Sequence, residues 1–78
     1  MNNQKDIIEA IAEYLTLPVA DLDTDASLQI DLGLNPVQVA DLLENLSSKF
    51  NIIFESYEVG QVKTVGDLID LVEDKLLE

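Results

Sequence analysis

Neither cysteine nor histidine occurs in this chain, which removes most of the catalytic repertoire at once. No thiolate can attack, no disulfide can form, and the commonest general base and zinc ligand is missing. What remains for chemistry is sixteen carboxylates, four lysines (Lys5, Lys49, Lys63 and Lys75) and a few hydroxyls. Paired carboxylates can serve as general acid and base. Sixteen of them in 78 residues will pair by chance, however, and no nucleophile–base pair accompanies them. Asp21-Leu22-Asp23-Thr24-Asp25 has the alternation of a calcium loop. Such a loop needs glycine at its sixth position and a bidentate Glu at its twelfth, and those places hold Ala26 and Leu32. No metal site and no enzymatic activity are expected.

The residue types are most constraining in Asp31-Leu32-Gly33-Leu34-Asn35-Pro36-Val37-Gln38. Pro36 has neither a hydroxyl nor a backbone N–H to offer. Asn35 is a favoured residue just before a helix, and proline is favoured at the first helical position, where its missing N–H costs nothing. Gln38 falls at the third helical position, so the spacing predicts a helix start with a capping box. Val37 lies off the apolar stripe that follows, and an exposed contact role is expected for it.

The elements that position this stretch follow from apolar spacing. A first helix is predicted from about Gln4 to Leu15, with Ile7, Ile8, Ile11 and Leu15 on one side, ended by Leu17-Pro18. The connection from Val19 to Leu34 is rich in Asp, yet holds Leu22, Leu28, Ile30, Leu32 and Leu34, and is expected to pack over the core. A second helix is predicted from Pro36 to about Phe50, with Val39, Leu42, Leu43, Leu46 and Phe50 facing inward. A last one carries Val65, Leu68, Ile69, Val72 and Leu76 at the same spacing, and Thr64 with Asp67 forms its capping box. Ser56 to Gly60 is expected to form one short turn. Three long amphipathic helices and a short one make an all-α bundle, expected to be a single domain over residues 1–78.

A domain of this size buries roughly 60% of its unfolded surface, too little to enclose a substrate behind a lid. The net charge of −12 repels phosphate backbones and anionic headgroups, so neither nucleic acid nor membrane is an expected partner. It suits a protein partner with a basic patch, whose approach it would speed in a salt-dependent way. The N-terminus, Met1 to Asp6, has no apolar run, and no stretch is long enough to span a bilayer. A monomer in the cytoplasm is expected.

The chain resembles an acyl carrier protein, or the similar peptidyl carrier domains, from Ile7 to Val72. Asp25-Ala26-Ser27-Leu28, Asp31-Leu32-Gly33, the trio Leu42, Leu46 and Phe50, and Lys63-Thr64-Val65 carry the resemblance. It implies an acyl-carrier-protein-like bundle of three long helices plus one short helix, with a long loop between the first two. Family proteins have Asp-Ser-Leu after that glycine, and the serine takes phosphopantetheine from coenzyme A. The residues here at those places are Asn35-Pro36-Val37. Pro36 cannot attack a diphosphate, Ser27 belongs to the preceding loop, and Ser47 and Ser48 fall roughly 16 Å down the helix at ~1.5 Å per residue. Ser56 is more distant in sequence still. No covalent carriage and no cofactor are therefore expected. The family's second helix presents an acidic face to partner enzymes. Here Asn35, Gln38, Ser47 and Ser48 are neutral and Lys49 is positive, which leaves Asp41 and Glu44. The expected partner surface is Asn35, Pro36, Val37, Gln38, Asp41 and Glu44, with contacts relying more on Val37 and Val39.

Three functions compete. One is a carrier-like protein without its prosthetic group that acts by noncovalent protein contact, as an accessory, regulatory or structural component. Another is a true carrier in fatty-acid, polyketide or nonribosomal peptide synthesis, modified at an unexpected serine or represented by a variant at position 36. The third is a helical bundle that takes a lipid chain noncovalently between its helices.

Overall fold

A computed structural model describes residues 3–77. The expected domain limits at residues 1 and 78 lie outside the described residues. Helix α1 spans Asn3–Leu15, a 3-10 turn covers Val19–Asp21, and α2 spans Pro36–Phe50. The short α3 spans Ser56–Gln61 and α4 spans Val65–Leu76. Every helix expected from the apolar spacing is present, and the boundaries of α2 are as expected.

Burial follows the apolar stripes. Ile7 and Ile11 of α1, Val39, Leu42, Leu43 and Leu46 of α2, and Val65, Leu68, Ile69 and Val72 of α4 form one core with Leu28, Leu34 and Val62. Each fully buried aliphatic side chain contributes about 1.5–3 kcal/mol relative to exposure, so this cluster is what holds the bundle together. Ala10 and Ala12 are buried as well. Phe50, Leu15 and Leu76 sit at stripe ends and are only half-buried.

α1 ends at Leu15, as expected, through a closure of its own before the proline is reached. Thr16 takes a left-handed conformation, φ 55°, and the Leu17 N–H reaches back to the Ala12 carbonyl at 2.9 Å while the Thr16 N–H donates to that of Glu13 at 3.2 Å. This is a Schellman closure. Pro18 is freed to cap the 3-10 turn instead.

The long connection packs as expected through Leu28 and Leu34, but Ile30 departs from the expectation and is 86% exposed. The cause is a tight turn in which the Asp31 and Leu32 N–H groups both donate to the Ser27 carbonyl at 3.0 Å. The turn points Leu28 inward and leaves Ile30 on the outer side. Two of the loop's acids close local turns. Asp31 Oδ2 accepts from the Ser27 N–H at 2.7 Å, and Asp23 Oδ1 from the Asp25 N–H at 2.9 Å.

This loop is bound to the start of α4. Leu28 N–H donates to the Lys63 carbonyl at 2.9 Å, Val65 N–H to that of Ala26 at 3.0 Å and Gly66 N–H to that of Thr24 at 2.8 Å. Backbone donors that a helix N-terminus would otherwise leave orphaned are thereby satisfied. A Cβ at residue 66 would come within 3.1 Å of the Thr24 carbonyl oxygen, which is why glycine suits this close approach.

Candidate functional site

The entrance to α2 is assembled from the loop outward. Gly33 turns the chain in the left-handed region, φ 70°, a conformation that glycine adopts without steric cost. Leu34 then anchors in the core, its N–H donating to the Leu28 carbonyl at 2.9 Å. Asn35 is extended, and its Oδ1 accepts from the Gln38 N–H at 2.8 Å. Gln38 Oε1 returns the bond, accepting from the Asn35 N–H at 2.9 Å. Pro36 is the first helical residue. The expected capping box is complete, and proline satisfies the backbone demands of its position.

The six residues named as a partner surface all lie on exposed parts of this entrance and helix. At ~100° per residue, Val37, Asp41 and Glu44 fall on one outward stripe. Val37 is 76% exposed, as its place off the apolar stripe implied. Val39, also suggested as a contact, is only 3% exposed and belongs to the core, because it falls on the inward side of the same helix. The side-chain oxygens of Asn35 and Gln38 are each occupied with the other's backbone N–H. Asp41 is occupied too: the Tyr14 hydroxyl of α1 donates to its Oδ2 at 2.6 Å. That bond, ahead of desolvation, holds the Tyr14 phenol above its ordinary range, since deprotonation would place two anions side by side. Lys49 faces Glu13 at 3.7 Å, with side chains 47% and 78% exposed, a geometry worth little in water. Of the two acids left on this face, Glu44 therefore has the freer carboxylate.

Beside Pro36 lies a cavity of about 420 Å³. Ser27 and Ile30 come to it from the loop, Pro36 and Val39 from α2, and Val59, Val62 and Lys63 from α3 and the segment after it. Its size falls within the range typical of small-ligand sites. The lining is apolar apart from Ser27, Gln29 and Lys63. The Ser27 hydroxyl accepts from the Ile30 N–H at 3.1 Å, and the half-buried Ser47 hydroxyl donates to the Ile52 carbonyl. Ser47 and the exposed Ser48 lie far along α2 from the cavity, and Ser56 is the first residue of α3. Among the described residues, no three or more carboxylates gather as a metal site.

No local pattern signals the cavity, because its walls come from three separated segments. At α3 a local signal does exist, since Glu55 and Glu58 have capping-box spacing. Glu58 Oε1 accepts from the Glu55 N–H at 2.7 Å.

A small all-helical bundle that exposes the start of its second helix beside an apolar cavity has the form of a carrier protein, and comparison with known proteins agrees. A solved acyl carrier protein from Thermotoga maritima superposes with a TM-score of 0.79, covering 96% of this chain and 92% of that one at 25% identity. An acyl carrier protein of Exiguobacterium sp. (strain AT1b) is 34% identical over 71 residues, 91% of this chain and 90% of its own length. One from Helicobacter pylori (strain J99) is 33% identical over 73 residues, 94% of each chain. The family model described as phosphopantetheine attachment site matches residues 5–72. The chain belongs to that family and is acyl-carrier-protein-like. No described helix is long and apolar enough to cross a membrane.

Proposed function

We propose that this chain is a carrier-fold protein that is not phosphopantetheinylated and works through noncovalent contact with a protein partner. In this reading Pro36 stands where carrier proteins present their serine. The observation that carries it is the first turn of α2: Pro36, Val37, Gln38 and Val39 offer no hydroxyl, and Asn35 and Gln38 close the turn as a finished cap. The residues present do not fit a phosphodiester there, because its formation needs an oxygen nucleophile on the protein. The partner would meet the exposed Pro36 and Val37 and the carboxylate of Glu44, and a basic patch on it would complement the net charge of −12.

Incubation with a phosphopantetheinyl transferase and coenzyme A tests this by intact mass. The wild-type chain is expected to stay unchanged and Pro36→Ser to gain one phosphopantetheine. A gain in the wild type, mapped to Ser27, Ser47, Ser48 or Ser56, would return the chain to the covalent carriers.

The cavity favours a second reading, in which a free fatty acid lies along Val39, Val59 and Val62 with its carboxylate on Lys63. Titration followed by heteronuclear NMR is then expected to shift Val39 and Val62 amides together with Lys63. Shifts confined to surface residues would remove this reading.

A further inference from the structure

Helix α3 is the least anchored of the α-helices among the described residues. It has six residues, none of them buried, and its two sides do different work. Val59 and Gly60 line the cavity beside Pro36. Glu58 and Gln61 face α4 across a recess also lined by Asp67, Asp70 and Asp74. Glu58 is also met by a cation from the end of α4. Lys75 Nζ lies 2.9 Å from Glu58 Oε1, with the two side chains only 13% and 12% exposed. It also stands 5.6 Å from the centre of the Phe54 ring, in the segment leading into α3. The same Glu58 oxygen accepts the Glu55 N–H that caps the helix. One ion pair thus holds the start of α3, its middle and the approach to it.

We propose that the Lys75–Glu58 pair is a latch that keeps α3 closed as one wall of the cavity, and that releasing it lets α3 open as a unit while α1, α2 and α4 stay folded. The energetic asymmetry supports this. α2 and α4 are held by fully buried aliphatic side chains, whereas α3 offers only the half-buried Val59 and Glu58. Elements with few buried apolar contacts open locally before the whole domain unfolds. A shielded ion pair whose cation is removed leaves an uncompensated charge, which is far more disruptive than losing an exposed pair. Here that charge, Glu58, would be left without its Lys75 partner on a recess also lined by Asp67, Asp70 and Asp74. The latch does not depend on what occupies the cavity, although it would set how easily a ligand enters past Val59.

Amide hydrogen exchange on the unliganded full chain reads the latch directly. Lys75→Met keeps the aliphatic stem and removes the charge. It is expected to speed exchange of the amides of residues 58–61 by roughly tenfold, with the protected amides of α2 and α4 unchanged. Glu58→Gln keeps an oxygen for the cap and is expected to move the same amides in the same direction. It decides the matter if Lys75→Met lowers overall stability too far to read. Unchanged exchange at residues 58–61, or an equal acceleration across all helices, would overturn the proposal. So would a wild-type α3 already exchanging without protection. Because no ligand is present, failure here leaves the fatty-acid titration to be judged on its own.

Discussion

α2 and α4 begin with the same device and use it for opposite ends. Each has a polar residue before the helix and a partner at the third helical position, Asn35 with Gln38 and Thr64 with Asp67, and each box is closed in both directions. The residues between them differ. At the first helical position α4 has Val65, fully buried, with its N–H bonded to the loop at Ala26. α2 has Pro36, exposed and with no N–H to bond. At the second, α4 has Gly66 pressed against the Thr24 carbonyl, and α2 has Val37 turned to solvent. The start of α4 is therefore a joint, fixed by packing and by backbone bonds to another segment. The start of α2 is a presented surface whose cap is self-sufficient. A residue at such a place answers to the helix backbone, and the core has no say in it. That is how proline can occupy Pro36 without disturbing the bundle.

Substitutions at matched positions put this contrast at risk. The largest effect is expected at the first helical position. Val65→Ala should cost about 2 kcal/mol from lost apolar burial and the cavity left behind, while Pro36→Ala, which loses a compatible proline, should cost no more than about 1 kcal/mol. Chemical denaturation of both variants measures the difference, and comparable losses would mean that α2's start is a structural joint after all. A smaller effect is expected one residue earlier. Thr64→Ala and Asn35→Ala should each cost about 1 kcal/mol, the usual worth of a cap side chain. A cap is a local bond between neighbours, so the two losses should be alike although one site is a joint and the other a presented surface. A markedly larger loss at Thr64 would show that its hydroxyl also supports the contact between loop and helix.

Several features were legible because they depend on residues close in the chain. The boundaries of α2, both strong capping boxes, the exposure of Val37 and the inward stripes of α2 and α4 all follow from three- and four-residue spacings. The errors have an equally physical origin. Apolarity groups Ile30 with Leu28 and Leu32, but the Ser27–Leu32 turn is closed by backbone bonds that pay no heed to side-chain type, and Ile30 faces outward. Val39 fits both core and contact by its place in the chain, and burial leaves only the first. The Tyr14–Asp41 bond joins residues 27 apart, and the Glu58–Lys75 pair joins α3 to the end of α4. No local pattern signals either, since exposed or half-buried charges sit anywhere on a helix surface.

Local chemistry by itself therefore determined that this chain forms amphipathic helices with capped starts, and that the turn beginning at Pro36 has no hydroxyl for a prosthetic group. Those are properties of residues and of their near neighbours, where hydrogen bonds and apolar periodicity act over one or two turns. Tertiary structure alone decided that Pro36 and Lys63 border one cavity, that Asp41 is engaged by Tyr14, and that α3 is held by a lysine from the end of α4. Those facts depend on which helix faces come together, and that is set by burial of the shared core across the whole chain.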